Sequence, residues 1–230
     1  MRLIGAGELG GVVAADPTGH RRGDPWGSLS IGLLLDEKLT YIRAMSVIVS
    51  ERMTVDEFLA WSVRQEKGRY ELQDGRVIMQ QSQNVAHLRA KGRIFMVLVA
   101  AIRRAGVACY ATPDGATVRI GPRTGYEPDA LVAPLPMPDD TALEIPNPVI
   151  VVEVLSPSSL KRDLSDKLAG YFHVPSIAHY LVLDPEEHAI IWHRRAAGGG
   201  LEPPLVMKAG VLRLDPPGIE IAVEDVFGLD

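Results

Sequence analysis

The chain has 230 residues, 47% of them hydrophobic and 23% charged, a composition that excludes a disordered or fibrous chain and suits one domain or two small ones. Its formal net charge of −5 argues against tight, non-specific coating of nucleic acid, so any such contact must rest on a local basic patch. The longest apolar runs, Val149–Val152 and Ile94–Ile102, fall short of the roughly 20 residues of a bilayer-spanning helix, and the single Cys109 excludes an internal disulfide or a Cys-based zinc cluster. No membrane partner and a reducing cytoplasm are therefore expected.

Residues 1–50 read differently from the rest. Gly10-Gly11, Asp16-Pro17 and Gly23-Asp24-Pro25 punctuate them without a sustained amphipathic period, although Leu29–Leu35 suits a short apolar strand. Arg2, Arg21, Arg22, Lys38 and Arg43 balance Glu8, Asp16, Asp24, Asp36 and Glu37, so the net negative charge resides in the remainder. The segment is expected to be an N-terminal extension without a signal peptide, preceding one domain at 51–230. Met45 and Met53 offer alternative starts.

From Met53 the signals sharpen. Thr54 followed by Val55-Asp56-Glu57 has the form of a capping box and predicts a helix to about Gln65. Tyr70–Met79, with Asp74-Gly75 at its centre, predicts a hairpin, because Asp-Gly supplies the positive φ angles of a tight turn. A helix is expected from Val85 to Arg104, with Ile94, Val97, Leu98 and Ala101 on one stripe and Gly106 past its end. Strands follow near 107–112, 116–120, 129–133 and 149–155. Ser156-Pro157-Ser158 then caps a helix at about 159–172. Tyr180–Leu183 and Ala189–His193 form a strand pair joined through Asp184-Pro185. This order predicts an α/β protein with a central mixed sheet flanked by helices.

Two acids and one helix face suggest chemistry. Glu153 interrupts the apolar run Val149–Leu155, which lacks clean alternation and so reads as a central strand buried on both faces. A lone carboxylate there would cost several kcal/mol, so it needs a metal or a cation such as an arginine at the strand's end. Asp129, in Pro128-Asp129-Ala130-Leu131-Val132, opens another apolar strand. On neighbouring strands the two could converge on a divalent cation suited to oxygen ligands, although Pro-Asp alone also suits a turn. In the following helix Asp163, Lys167 and Tyr171 share a face beside the stripe Leu160, Leu164, Leu168 and Phe172, which is either a solvated ion pair or a lysine delivered to Glu153.

Six blocks in order resemble the PD-(D/E)XK nuclease superfamily and, within it, the restriction-endonuclease-like Uma-two family: Tyr70–Gly75, His87 at a helix head, Pro128–Val132, Val151–Ser158, Asp163 with Lys167 and Tyr171, and Tyr180–Pro185. The resemblance covers roughly residues 53–195. It implies a restriction endonuclease-like fold and metal-dependent endonucleolytic hydrolysis of DNA phosphodiesters. Asp129 and Glu153 would hold Mg²⁺ or Mn²⁺, and Lys167 would orient water or stabilise charge on the phosphorane. Glu71, His87 and Tyr171 match positions beside the metal, each with a structural alternative: a hairpin stabiliser, a helix cap and a core aromatic. In the superfamily's usual pattern a lysine follows two residues after the glutamate; here that position is Leu155, and Lys167 on the helix is the residue that matches. Leu181 stands where the family commonly has tryptophan.

Arg89, Lys91, Arg93, Arg103 and Arg104, on the helix that begins with His87, could form a basic rim for a nucleic-acid backbone or simply a solvated helix face. A homodimer would suit a double-strand cutter. The rival readings are an inactive nuclease fold that binds DNA or a protein partner, and a small-molecule hydrolase, for which no Gly-x-Ser-x-Gly elbow is present. Gly5-Ala6-Gly7-Glu8-Leu9-Gly10 has dinucleotide-fingerprint spacing, but Asp16-Pro17 breaks the helix that should follow. His173, His179, His188 and His193 are each isolated, which argues against zinc.

Overall fold

The computed structural model describes residues 52–80, 82–155 and 161–228, apart from the side chains of 161–164. The extension at 1–50, its apolar strand and glycine motif, the Ser156–Ser158 cap, and the side chains of Leu160, Asp163 and Leu164 lie outside the described residues.

Helix α1 (Val55–Ser62) opens on the expected capping box: the Glu57 amide donates to Thr54 Oγ1 at 3.3 Å and the Thr54 amide to Glu57 Oε2 at 2.7 Å. It ends earlier than the pattern suggests, because Ser62 Oγ and Gln65 Nε2 turn back to donate to the Leu59 and Trp61 carbonyls. Strands β1 (Tyr70–Gln73) and β2 (Arg76–Met79) form the hairpin, with Asp74 and Gly75 at φ 50° and 78° as its turn requires. Helix α2 (Val85–Ala105) is capped by Asn84 Oδ1, which accepts from the His87 amide at 2.8 Å, and closes on Gly106 at φ 65°.

The hairpin does not join the central sheet. It pairs through β1 with β5 (Thr124–Tyr126), which pairs with β4 (Val118–Gly121), giving a separate four-stranded antiparallel sheet. At three residues, β5 is too short to show a period of its own. Leu72 on one face of β1 packs with Val55 and Phe58 of α1, so strand alternation turns Glu71 to the opposite face.

The central sheet has six strands in the order β10-β9-β8-β7-β6-β3, built from β3 (Cys109–Pro113), β6 (Ala130–Pro134), β7 (Ile150–Val154), β8 (His179–Asp184), β9 (Ala189–Arg194) and β10 (Leu205–Met207). Only β7 and β8 run parallel, joined by helix α3 (Lys161–His173); the other pairings are antiparallel, so the sheet is mixed as expected. Alternation sorts its side chains into two cores. Ala130, Val132, Ile150, Val152, Val154, Leu181 and Leu183 pack with Ile94 and Leu98 of α2 and with the hairpin of β11 (Val211–Leu214) and β12 (Ile219–Ala222), ahead of helix α4 (Val223–Phe227). Leu131, Val151, Tyr180 and Val182 pack on the other face with Tyr126, Tyr171, Leu168 and Phe172. Helices α2 and α3 thus cover opposite faces, and Glu153, in step with Val151, lies on the α3 side.

Helix α3 approaches Tyr126 through Gly170, where a Cβ would sit 2.6 Å from Tyr126 Cε2. Gly170→Ala should therefore destabilise the protein by about 1–3 kcal/mol despite alanine's better helix propensity, because the clash outweighs the backbone gain. Urea denaturation checks this; equal or greater stability would show that α3 is free to shift.

Candidate active site

The site forms where β6 begins and β7 ends. One step beyond the Ala130–Val152 pair, Asp129 stands across from Glu153, and the Asp129 amide donates to the Val152 carbonyl at 2.8 Å. Asp129 Oδ2 accepts from the Val154 amide at 2.7 Å, so the carboxylate replaces a strand partner at the sheet's margin. The two acids expected to converge thus lie on adjacent strands of one sheet.

Helix α3 supplies the partners of Glu153. Lys167 Nζ lies 2.9 Å from Glu153 Oε1 and 2.8 Å from Glu71 Oε1, and the Tyr171 hydroxyl donates to Glu153 Oε1 at 2.6 Å. Lys167 and Tyr171 are one helical turn apart, which is why both reach the same oxygen. Glu71 also accepts the Glu127 amide at 2.9 Å, so the four-stranded sheet ties its carboxylate to the passage that leads from β5 to Asp129. The fully buried Tyr171 ring packs edge-on against Tyr126 and tilted against Tyr180, with centroids 5.4 and 5.1 Å away. Tyr171 is thus a core aromatic and a hydrogen-bond donor at once.

Helix α2 supplies the partners of Asp129. His87 is only 5% exposed; its Nδ1 lies 3.4 Å from the Leu155 carbonyl and its Nε2 3.6 Å from Asp129 Oδ2, beyond hydrogen-bond length. The imidazole Nε2 has no hydrogen-bond partner among the described residues. One turn on, Lys91 is 6% exposed, and its Nζ contacts Asp129 Oδ1 at 2.8 Å, Asp114 Oδ2 and Gln83 Oε1. Lys91 therefore corrects the expected basic rim: it points into the protein because its spacing from His87 puts both on the inward face of α2. That spacing was the available sequence signal for it. Asp114 and Gln83, in loops, had none. Of the other rim residues, Arg89, Arg93 and Arg104 line a groove of about 610 Å³ along α2 with Met96 and Ala100. A smaller cleft of about 140 Å³ opens beside His87, between Asn84, Leu155 and Pro185.

The electrostatics follow from crowding. Glu71, Asp114, Glu127, Asp129 and Glu153 are linked by contacts to Arg69, Lys91 and Lys167, so five carboxylates face three fixed cations, an excess of two negative charges when all are ionised. Burial pushes Glu153 up to about pH 7, with Asp129 and Glu71 adding to the rise and Lys167 and Tyr171 opposing it. Burial also acts to raise Asp129, but His87, Lys91 and the Val154 amide outweigh it and hold the group down at about 2. Lys167, although burial opposes its charge, is raised by Glu153 and Glu71 and stays an ammonium.

Among the described residues no three His, Cys, Asp or Glu side chains are gathered as a closed metal site. The donors do fit a hard divalent cation held by two carboxylates and completed by water or substrate oxygen, in the manner of Mg²⁺. A five-carboxylate cluster with only three fixed cations, two of its acids side by side at the sheet margin, and an orphaned imidazole nitrogen beside one of them support that fit.

The family model named Uma2, described as "Putative restriction endonuclease", matches residues 55–224. Among solved structures, the chain resembles one titled a "putative nuclease belonging to DUF820" from Anabaena variabilis ATCC 29413, with TM-score 0.60 and 16% identity, covering 76% of this chain and 97% of that one. At that identity the likeness speaks for the fold. No curated protein matches.

Removing the ammonium between Glu71 and Glu153 should expose its role. Lys167→Met leaves two largely buried carboxylates without their cation and should cost about 3 kcal/mol at pH 8. The sign with pH is set by the raised carboxyl: stability tied to protonated Glu153 is present below its ordinary 4.5 and is lost as pH rises through about 7. The deficit of the variant should therefore shrink from pH 8 towards pH 5 in denaturation curves. A deficit independent of pH would mean that packing, not charge, is what Lys167 supplies.

Proposed function

The chain belongs to the Uma2 family, and we propose that it is a metal-dependent endonuclease that hydrolyses DNA phosphodiester bonds. The observation that carries this reading is the contact of Lys167 with Glu153 Oε1, because it restores an ammonium beside the strand glutamate although the usual strand position holds Leu155. Asp129 and Glu153 would hold the cation, whose chemistry is to polarise the scissile phosphate and lower the pKa of a bound water.

The chain's own residues set up the rest. Tyr171 and Lys167 both donate to Oε1 of Glu153 and, among the described residues, none donates to Oε2, which suits a cation there. An ammonium has three donors; among the described residues Glu153 and Glu71 take two from Lys167, and a third suits orienting a water or stabilising charge building on the phosphate. Glu71 acts as the anchor of Lys167. His87, beside Asp129 and facing the smaller cleft, is placed to hold a water or phosphate oxygen. Arg89 and Arg93, in the half of α2 that carries His87, suit a phosphate of the substrate backbone, which an acidic protein can bind only locally.

Nicking of supercoiled plasmid with Mg²⁺, Mn²⁺ or EDTA tests the reading. Wild type should cut with metal only, and Glu153→Ala and Lys167→Ala should each lose roughly 10²–10³-fold in rate. Mn²⁺ should raise the melting temperature of wild type but not of Glu153→Ala. Folded wild-type protein that neither cuts nor responds to Mn²⁺ would overturn the nuclease reading in favour of a binding module.

A further inference from the structure

The two carboxylates proposed to hold the cation are not equally available. Glu153 uses one oxygen for both Lys167 and Tyr171. Asp129 has both oxygens engaged: Oδ2 by the Val154 amide at 2.7 Å and Oδ1 by Lys91 Nζ at 2.8 Å. A divalent cation on Oδ1 would sit against that ammonium, and two cations sharing one buried oxygen repel strongly. Lys91 is only 6% exposed, and its Nζ already touches two further acceptors, Asp114 Oδ2 and Gln83 Oε1. Asp114 is itself paired with Arg69 at 2.8 Å, a second cation that helps keep its carboxylate in place.

We propose that Lys91 is an exchangeable counter-ion of Asp129, which yields Oδ1 to an incoming divalent cation and withdraws onto Asp114 and Gln83. The proposal rests on the metal-site reading above and assigns a use to three residues outside it. Without metal, Lys91 neutralises Asp129 and keeps the strand margin from carrying an unpaired buried charge. With metal, the cation takes over that neutralisation, and the flexible four-carbon stem lets the ammonium shift while its remaining donors stay bonded. Lys91 is thus a positioning residue that acts through Asp129.

Titration of Mn²⁺ into the protein at pH 8, followed by calorimetry, tests this through a double-mutant cycle. Asp114→Asn should weaken Mn²⁺ binding about tenfold, equal to about 1.4 kcal/mol, and Gln83→Ala should weaken it with no change of charge. Lys91→Met should bind Mn²⁺ more tightly than wild type, and in that background neither second substitution should matter. An Asp114→Asn loss that persists in the Lys91→Met background would overturn the proposal, since it would be a field effect of the carboxylate. If Lys91→Met does not fold by circular dichroism, Gln83→Ala decides alone: unchanged Mn²⁺ affinity overturns the exchange. Mn²⁺ binding that survives both Asp129→Asn and Glu153→Gln would instead sink the metal-site reading, and this proposal with it. Binding that needs both acids but ignores Lys91, Asp114 and Gln83 sinks this proposal alone.

Discussion

Glu153 is a carboxylate on a strand flanked by neighbours on both sides, and the arrangement around it follows from the need to hold that charge. Its Oε1 takes Lys167 and Tyr171 from α3, which requires the helix to lie close over the sheet. Close approach in turn requires Gly170 where Tyr126 meets the helix, and Tyr126 comes from the same short β5 that leads through Glu127 to Asp129. Lys167 also lies 5.6 Å from the centre of the Tyr126 ring, so the aromatic that limits the helix approach borders the ammonium. One buried charge thus links the positions of a helix, two sheets and the second acid.

Much of this was legible in the sequence, for identifiable reasons. Thr54 with Glu57, Asp74-Gly75 and Gly106 are local signals whose physics lies within a few residues, and each appears in the structure as the pattern required. The run around Glu153 was informative because an acid among β-branched residues contradicts its surroundings, and such a conflict needs a partner. Helical spacing put Lys167 and Tyr171 on one face but left a solvated ion pair and a core aromatic open; the family resemblance was what pointed both at Glu153. The division into separate sheets was not, because pairing of β1 with the three-residue β5 depends on residues some 50 positions apart and leaves no periodic trace. Lys91 was misread for a related reason. Among Arg89, Arg93, Arg103 and Arg104 it looks like one more surface cation, and only the long-range approach of Asp114 and Asp129 gives its burial a cause.

The two lysines divide the site. Lys167 joins Glu153 to Glu71 on the four-stranded sheet, whereas Lys91 joins Asp129 to Asp114 in the loop before β4. Each candidate ligand carboxylate therefore shares a cation with an acid that lies off the central sheet. Net charge alone misleads about such a protein: two of its five excess negative charges sit where carboxylates crowd a few cations, while Arg89, Arg93 and Arg104 line the α2 groove.

Moving the ammonium from strand to helix changes what the site depends on. A lysine two residues after the glutamate would be aimed by strand alternation alone, and nothing beyond the sheet would have to be in place. Lys167 reaches Glu153 from a separate element, so its aim depends on the packing of α3 and on Glu71, which sits on the other sheet. The four-stranded sheet is then more than a cover for α1. Its alternation, with Leu72 inward to Phe58 and Glu71 outward to Lys167, makes the core beneath α1 part of what holds the ammonium.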